Sequence, residues 1–204
     1  MHNRHNQLSA LVQRLHLPAK RLPAMIAMSD EARMPDPMTV VPRLRAGSAF
    51  IFRHYGAPDR CALAAQLAPL CRRYSVKLLI ANDARLAHAV HADGLHLSES
   101  ALRQNRRHWR LWRRPHWFIT GAAHSPAALV QAARMRIDAA LLAPVFPTAS
   151  HPERTHIGIL RFALWAKNSP LPVYALGGMS PMSVRRLKGC RISGIAGIGG
   201  FLGT

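Results

Sequence analysis

Short apolar or β-branched runs alternate with amphipathic stretches along the whole chain. The runs are Leu22–Met28, Ala49–Phe52, Lys77–Ala81, Gly94–Leu97, Phe118–Ala123, Ala139–Phe146, Val173–Leu176 and Gly194–Ile198. All have the length of strands, and Ala139–Phe146 (AALLAPVF) is apolar without interruption, as a strand buried on both faces must be. The stretches between them read as helices. Pro37–Leu44 is weakly helical. Arg60–Tyr74 is strongly so, with Leu63, Leu67 and Leu70 on one face and Pro58-Asp59 as a start signal. Arg85–His91, a basic helix within Arg103–Trp117, Ala127–Met135 behind Ser125-Pro126, Leu160–Lys167 and Met182–Lys188 complete the set.

Alternating βα units imply a parallel sheet covered by helices, and eight such units favour closure into a (β/α)8 TIM barrel over an open sheet. The 204 residues are fewer than the roughly 250 typical of that fold, so the loops must be short. Residues 1–21 read as an N-terminal basic arm or helix and residues 22–204 as the barrel. The sequence given stops at Thr204, just after the last strand, so the barrel is expected to lack its last helix. Leu8, Leu11, Val12 and Leu15 lie at helical spacing in Gln7–Leu17, which offers one cover for the bare strand. A second chain in a homo-oligomer offers another.

Charge changes this picture little. The chain has 28 Lys and Arg against 9 Asp and Glu, a net +19, which attracts phosphates, nucleic acids and anionic surfaces without specifying a fold. The densest stretch, Arg103–Trp117 (RQNRRHWRLWRRPHW), interleaves arginines with Trp109, Trp112 and Trp117. Such interleaving can hold phosphates and stack bases. The plainer reading, a solvated basic helix anchored by its tryptophans, is preferred, and nucleic acid is not an expected partner. Cys61, Cys71 and Cys190 form no C-x-x-C pair, so neither a disulfide framework nor a zinc site is expected. They read as small buried apolar residues in a reducing cytoplasm. No apolar run approaches the roughly 20 residues of a membrane span, and Met1–Arg21 lacks the features of a secretory signal, so a cytoplasmic protein with no membrane partner is expected.

Chemistry in a parallel barrel sits at the C-terminal ends of the strands. Arg53 follows the second strand and Asn82-Asp83 the third. His96 lies in the fourth, with Ser98-Glu99-Ser100 behind it, and His124 follows the fifth. Phe146 through His151 (FPTASH) follow the sixth, Gly177-Gly178 the seventh and Gly199-Gly200 the eighth. Glycines after the last two strands let backbone N–H groups approach a phosphate, although glycine pairs are also common in plain turns. Arg53 can clamp an anion, and Asp83 can hold a magnesium ion through one carboxylate, with waters and phosphates completing the shell. His96, in an apolar strand, reads as a hydrogen-bonded core histidine.

Those residues carry a resemblance. FIFR, ANDARLAHAVHADGLHLSES, APVFPTASH, LPVYALGGMSP and GIAGIGG occur in the order and spacing of the thiamine phosphate synthase/TenI family, from about Leu22 to Gly200. The resemblance implies thiamine biosynthesis on small phosphorylated substrates. In the synthase, a hydroxymethylpyrimidine diphosphate loses pyrophosphate with the help of Mg2+ and is joined to a thiazole phosphate. In the TenI-type tautomerase, a histidine moves a proton on the carboxylated thiazole phosphate. Residue by residue, the resemblance gives Arg53 and His124 to catalysis, His124 as the acid/base of the tautomerases, Asn82 to substrate and Asp83 to magnesium. It gives Thr148 and Ser150 to carboxylate or pyrophosphate and Gly177 and Gly178 to phosphate, while His151 and Gly199, which stand where the family has a lysine and often a phosphate-touching serine, remain candidates for substrate binding.

The departures from the family pattern are specific. Tyr55 and His151 stand where the family has lysines, Ala101 where it has a second magnesium aspartate, and Ala122 where it has a serine. Each lost charge-assisted contact is worth roughly 1.5–3 kcal/mol, so pyrophosphate chemistry should be weakened and the magnesium site with it. Glu99 and His151 are the candidates to replace lost groups. Three readings stay open at this level: a synthase, a TenI-type tautomerase working through His124, and a catalytically degenerate barrel that binds a phosphorylated ligand or a partner.

Overall fold

A sheet with two apolar faces has to be covered on both, and closing it into a barrel does this with one layer of helices. The computed structural model describes residues 22–34, 36–104, 108–148 and 155–198, and in it eight parallel strands form a closed barrel in chain order. The strands are β1 (Met25–Met28), β2 (Ala49–Phe52), β3 (Lys77–Ala81), β4 (Gly94–Leu97), β5 (Phe118–Ala123), β6 (Ala139–Leu142), β7 (Val173–Leu176) and β8 (Gly194–Ile198). The helices are α1 (Arg60–Arg73), α2 (Ala84–Ala89), α3 (Glu99–Arg103), α4 (Pro126–Arg134), α5 (Ile159–Lys167) and α6 (Pro181–Arg185). Closure comes from β8 pairing with β1, Met25 opposite Ile195 and Met28 opposite Ile198.

The two-residue period of the strands sorts the core into two layers. Ile26, Met28, Ile51, Leu79, Leu141 and Tyr174 form an inner cluster. Phe50, Phe52, Leu78, Ile80 and Leu95 face outward onto the helices, where Leu67 of α1 and Phe162 of α5 meet them. Tyr174 is fully buried at the lower end of β7, and its hydroxyl donates to the Pro23 carbonyl at 2.7 Å, which ties the entry to β1 across the barrel.

Four expectations need correction. Pro37–Leu44 is not an α-helix but two 3-10 turns, Pro37–Thr39 and Val41–Arg43; each has a proline in its first two positions, Pro37 and Pro42, which fixes its own φ but supplies no N–H to a longer helix. The sixth strand stops at Leu142, because Pro144, joined to Ala143 by a cis peptide bond, cannot donate to the ladder. The basic stretch is not one helix. Its described parts are the end of α3 at Arg103 and a 3-10 turn, His108–Leu111, followed by irregular chain to Trp117. Trp109 and Trp117 are buried as anchors, and Arg110 and Arg114 donate to the backbone carbonyls of Met135 and His88 at 2.8 and 3.4 Å. Those two arginines stitch the barrel together instead of facing a polyanion. Finally, Cys61 is exposed, on the outer face of α1.

The N-terminal arm and the segment after β8 lie outside the described residues. Among those described, no helix is long and apolar enough to cross a membrane.

Candidate functional site

Loops at the C-terminal ends of the strands surround a cavity of about 760 Å3, within the roughly 300–1,000 Å3 of small-molecule sites. Four of the sequence candidates meet on its wall: Arg53, His124, Thr148 and Gly177. His96, Asp30, Arg33 and Tyr55 join them. Asn82 and Asp83 do not; they line a separate cavity of about 360 Å3 between β3, α2 and the 3-10 turn at Trp109. Ser150, His151 and Gly199 lie outside the described residues.

His124 is held at the mouth by what flanks it. β5 ends at Ala123, and Ser125 caps α4, its side chain accepting from the Ala128 N–H at 3.2 Å with Pro126 opening the helix. One residue remains between strand and cap, and it lines the cavity. Its Nδ1 lies 2.5 Å from Oε2 of Glu99, the first residue of α3. The other Glu99 oxygen lies 3.8 Å from Arg103 Nε. The sequence offered Glu99 as a replacement magnesium ligand; in the structure the carboxylate belongs to His124.

His96 forms the floor. Its ring is buried, and Nδ1 makes a 2.9 Å hydrogen bond with the Thr120 hydroxyl. Burial, reinforced by the Arg53 cation, pushes its pKa down to about 3, so it is neutral at ordinary pH and gives no charge to a phosphate. At the rim, Asp30 and Arg33 pair at 3.0 Å. Partial burial raises the Asp30 pKa, but hydrogen bonds from Arg33 and the charges of Arg33 and Arg53 outweigh it and hold the carboxyl below its usual range. Arg33 and Arg53 therefore supply the cavity's fixed positive charge, with Asp30 ionised among them.

The loop after β7 needs its glycines. Gly177 and Gly178 have φ of +97° and +67°, values that side chains strain to adopt. A Cβ on Gly177 would lie 2.8 Å from Pro144 Cα, and one on Gly178 2.5 Å from the Pro147 carbonyl oxygen. Backbone bonds from Val145 N to Leu176 O and from Phe146 N to Gly177 O tie this loop to the loop after β6, which carries Thr148. Ser183 Oγ donates to the Gly178 carbonyl at 2.7 Å, fixing the loop from the other side.

The Asp83 side is built differently. Asp83 Oδ1 accepts from the Leu86 N–H at 2.9 Å as the cap of α2, and Oδ2 accepts from Arg60 Nη1 at 3.0 Å. Arg60 also donates to the Ala81 carbonyl and lies over the rings of Phe52 and Tyr55. Asn82 Oδ1 accepts from the Ser98 N–H at 2.8 Å. Both oxygens of the single matched carboxylate are thus engaged, a guanidinium stands beside it, and Ala101 provides no second one. Among the described residues no group of three or more His, Cys, Asp or Glu could hold a metal ion. These donors do not fit a protein-held magnesium ion.

Arg60, Arg33 and Asp30 were not candidates in the sequence. Asp30 and Arg33 carried a faint signal, an i,i+3 pair just after the first strand. Arg60 carried none, because it lies at the start of α1, away from the strand ends that were read for chemistry.

A cavity over the mouth of a parallel eight-stranded barrel, lined by Arg33, Arg53, His124 and the Gly177 turn after β7, is where barrel enzymes of this architecture bind their small-molecule substrates. The sequence profile of the thiamine monophosphate synthase family matches residues 25–201, and the chain belongs to that family. It is 33% identical over 146 residues to an Aquifex aeolicus protein provisionally named thiamine-phosphate synthase 2, an alignment covering 69% of this chain and 74% of that one. It is 32% identical over 146 residues to the thiamine-phosphate synthase of Parasynechococcus marenigrum, covering 72% of this chain but only 41% of that protein. In fold it is similar to thiamine phosphate pyrophosphorylase from Pyrococcus furiosus, with a TM-score of 0.72, 22% identity and coverage of 92% of this chain and 91% of that one.

Proposed function

We propose that the chain binds a phosphorylated thiazole carrying a carboxylate and shifts a proton on it, with His124 as both acid and base. The reading rests on one observation: His124 shares its cavity with Arg53, Thr148 and Gly177, while Asp83 lies outside it and is engaged on both oxygens. Proton transfer by a positioned histidine needs a base at the reacting carbon and an anchor for the phosphate, and contributes roughly 10²–10⁴-fold. Arg53, Arg33 and the Gly177–Gly178 loop are the anchor; Thr148 reaches the carboxylate. His124 removes a carbon-bound proton and returns it at a second carbon, so no atom or electron is gained or lost overall. Magnesium takes no step in this scheme.

The names of the relatives, thiamine-phosphate synthases, favour a second reading, condensation of the thiazole phosphate with hydroxymethylpyrimidine diphosphate to thiamine phosphate. The lost lysines at Tyr55 and His151 and the engaged Asp83 weigh against it. One experiment separates them. The protein is given the carboxylated thiazole phosphate in its unrearranged form in deuterated buffer, alone and then with hydroxymethylpyrimidine diphosphate and Mg2+, and the products are followed by NMR. Deuterium incorporation and rearrangement without the diphosphate, abolished by His124→Ala, is the expected result. Thiamine phosphate formation with no rearrangement of the first substrate would replace the tautomerase reading by the synthase one.

A further inference from the structure

We infer that Glu99 is a positioning residue that fixes the tautomer of His124, so that Nε2 is the atom that takes and returns the proton. This deepens the reading of His124 as acid and base and rests on it. A carboxylate only accepts hydrogen bonds, so a ring nitrogen 2.5 Å from Glu99 Oε2 must carry the proton. That nitrogen is Nδ1. In the neutral ring Nε2 then holds the free lone pair. With Glu99 unprotonated and Nδ1 engaged, the base is ready before substrate arrives.

Two features make Glu99 a built partner and not a passing contact. Its side chain is only 18% exposed, against 49% for His124, so the carboxylate is the fixed member and the imidazole the one presented to the cavity. Its backbone is set by Ser98, whose hydroxyl caps α3 and contacts the Ser100 hydroxyl, and whose own N–H is bound by Asn82. The Asn82 that the family resemblance gave to substrate therefore serves here to place the turn from which Glu99 reaches His124.

The step balances. Nε2 takes the proton from the first carbon, breaking the C–H bond and leaving the electron pair in the substrate's conjugated system. The imidazolium that forms keeps its Nδ1–H on Glu99, whose charge stabilises it. Nε2–H then gives the proton to the second carbon as the new C–H bond forms, and the neutral ring is restored. Glu99 stays ionised throughout, as the carboxylate behind a catalytic histidine does in serine hydrolases.

The test uses the full chain with ¹⁵N-labelled histidine, with the His124 signals identified by their loss in His124→Ala. The expected spectrum of the neutral ring has Nδ1 protonated and Nε2 unprotonated. Glu99→Ala should turn this into a mixture of tautomers. It should lower kcat for the proton shift by about 10- to 100-fold, the size of loss seen when the partner of a metal-bound histidine is removed, with KM within about twofold. Glu99→Asp should restore part of kcat, and Arg103→Ala, which removes only the 3.8 Å neighbour of the far oxygen, should leave the tautomer in place. A neutral His124 protonated at Nε2 in the parent protein, or a tautomer unmoved by Glu99→Ala in a variant that melts like the parent, overturns the inference. Absence of any proton shift in the parent protein would sink the proposed function alone, because the spectrum still decides the Glu99 contact.

Discussion

Asp83 follows β3 and His124 follows β5, at equivalent points of the barrel rim, and both match family positions. Their surroundings differ. Asp83, its side chain 38% exposed, is engaged by its own helix cap and by Arg60, with each carboxylate oxygen accepting one hydrogen bond at about 3 Å. His124 keeps one nitrogen on Glu99 and turns the rest of its ring to a cavity of about 760 Å3. Two residues retained in sequence can therefore differ in which of their polar atoms are left open to a ligand. What a side chain can do depends on which of its polar atoms the fold has already taken. On the β3 side a cation from α1 stands where a metal would need open oxygens; on the β5 side a carboxylate leaves the histidine's outer nitrogen available.

The sharpest way to break this contrast is to remove each side chain in turn. His124→Ala should lower kcat for the proton shift by about 10²–10⁴-fold with little change in KM, whereas Asp83→Asn should change it by less than about tenfold. Equal losses in steady-state kinetics would mean that the two sides work together.

The floor that the cavity shares gives the next largest effect. His96 titrates at about 3 in the folded chain against an ordinary 6.5, so the unfolded chain binds more protons between those values. Its contribution is complete above about pH 6.5 and is lost as pH falls towards 3, with a total on the order of 5 kcal/mol. Urea melts at pH 7, 5 and 4 should show this fall, and His96→Gln should flatten it. An unchanged slope would assign the acid sensitivity elsewhere.

Gly178→Ala comes third. Its φ of +67° and the 2.5 Å approach to the Pro147 carbonyl should make the change cost about 1–3 kcal/mol, read as a lowered Tm, and should weaken binding of a phosphate ester. Stability kept with binding lost would separate the loop's ligand role from its packing role.

The smallest effect is the most direct test of the closed side. Arg60→Gln removes a partly exposed ion pair, worth about 1 kcal/mol or less, and frees Asp83 Oδ2. Titration with Mn2+ followed by electron paramagnetic resonance should detect weak ion binding in the variant and none at the same concentrations in the parent. Tight binding by the parent would show that Arg60 yields to a metal.

Much of this was legible in the chain. The runs at Ala49–Phe52, Lys77–Ala81, Gly94–Leu97, Phe118–Ala123, Val173–Leu176 and Gly194–Ile198 are strands at those bounds, because a buried strand needs nothing but apolar residues of the right length. The run Ala139–Phe146 misled at its end, since periodicity does not register the missing N–H of Pro144. The basic stretch misled because Arg110 and Arg114 look solvent-bound in sequence, and only the carbonyls of Met135 and His88, 25 and 26 residues away, claim them.

The site was legible in part for the same reason. The sequence by itself determined that eight βα units close into a barrel, and hence that Arg53, His124, Thr148 and the glycines after β7 stand at its mouth, because strand period and chain direction suffice to place them. Tertiary structure alone decided how they are partnered. Glu99 and His124 are 25 residues apart and Arg60 and Asp83 23, separations that no local pattern encodes. Hydrogen bonds reach only about 3 Å, so which polar atoms are taken and which stay open is settled by how the units pack against one another.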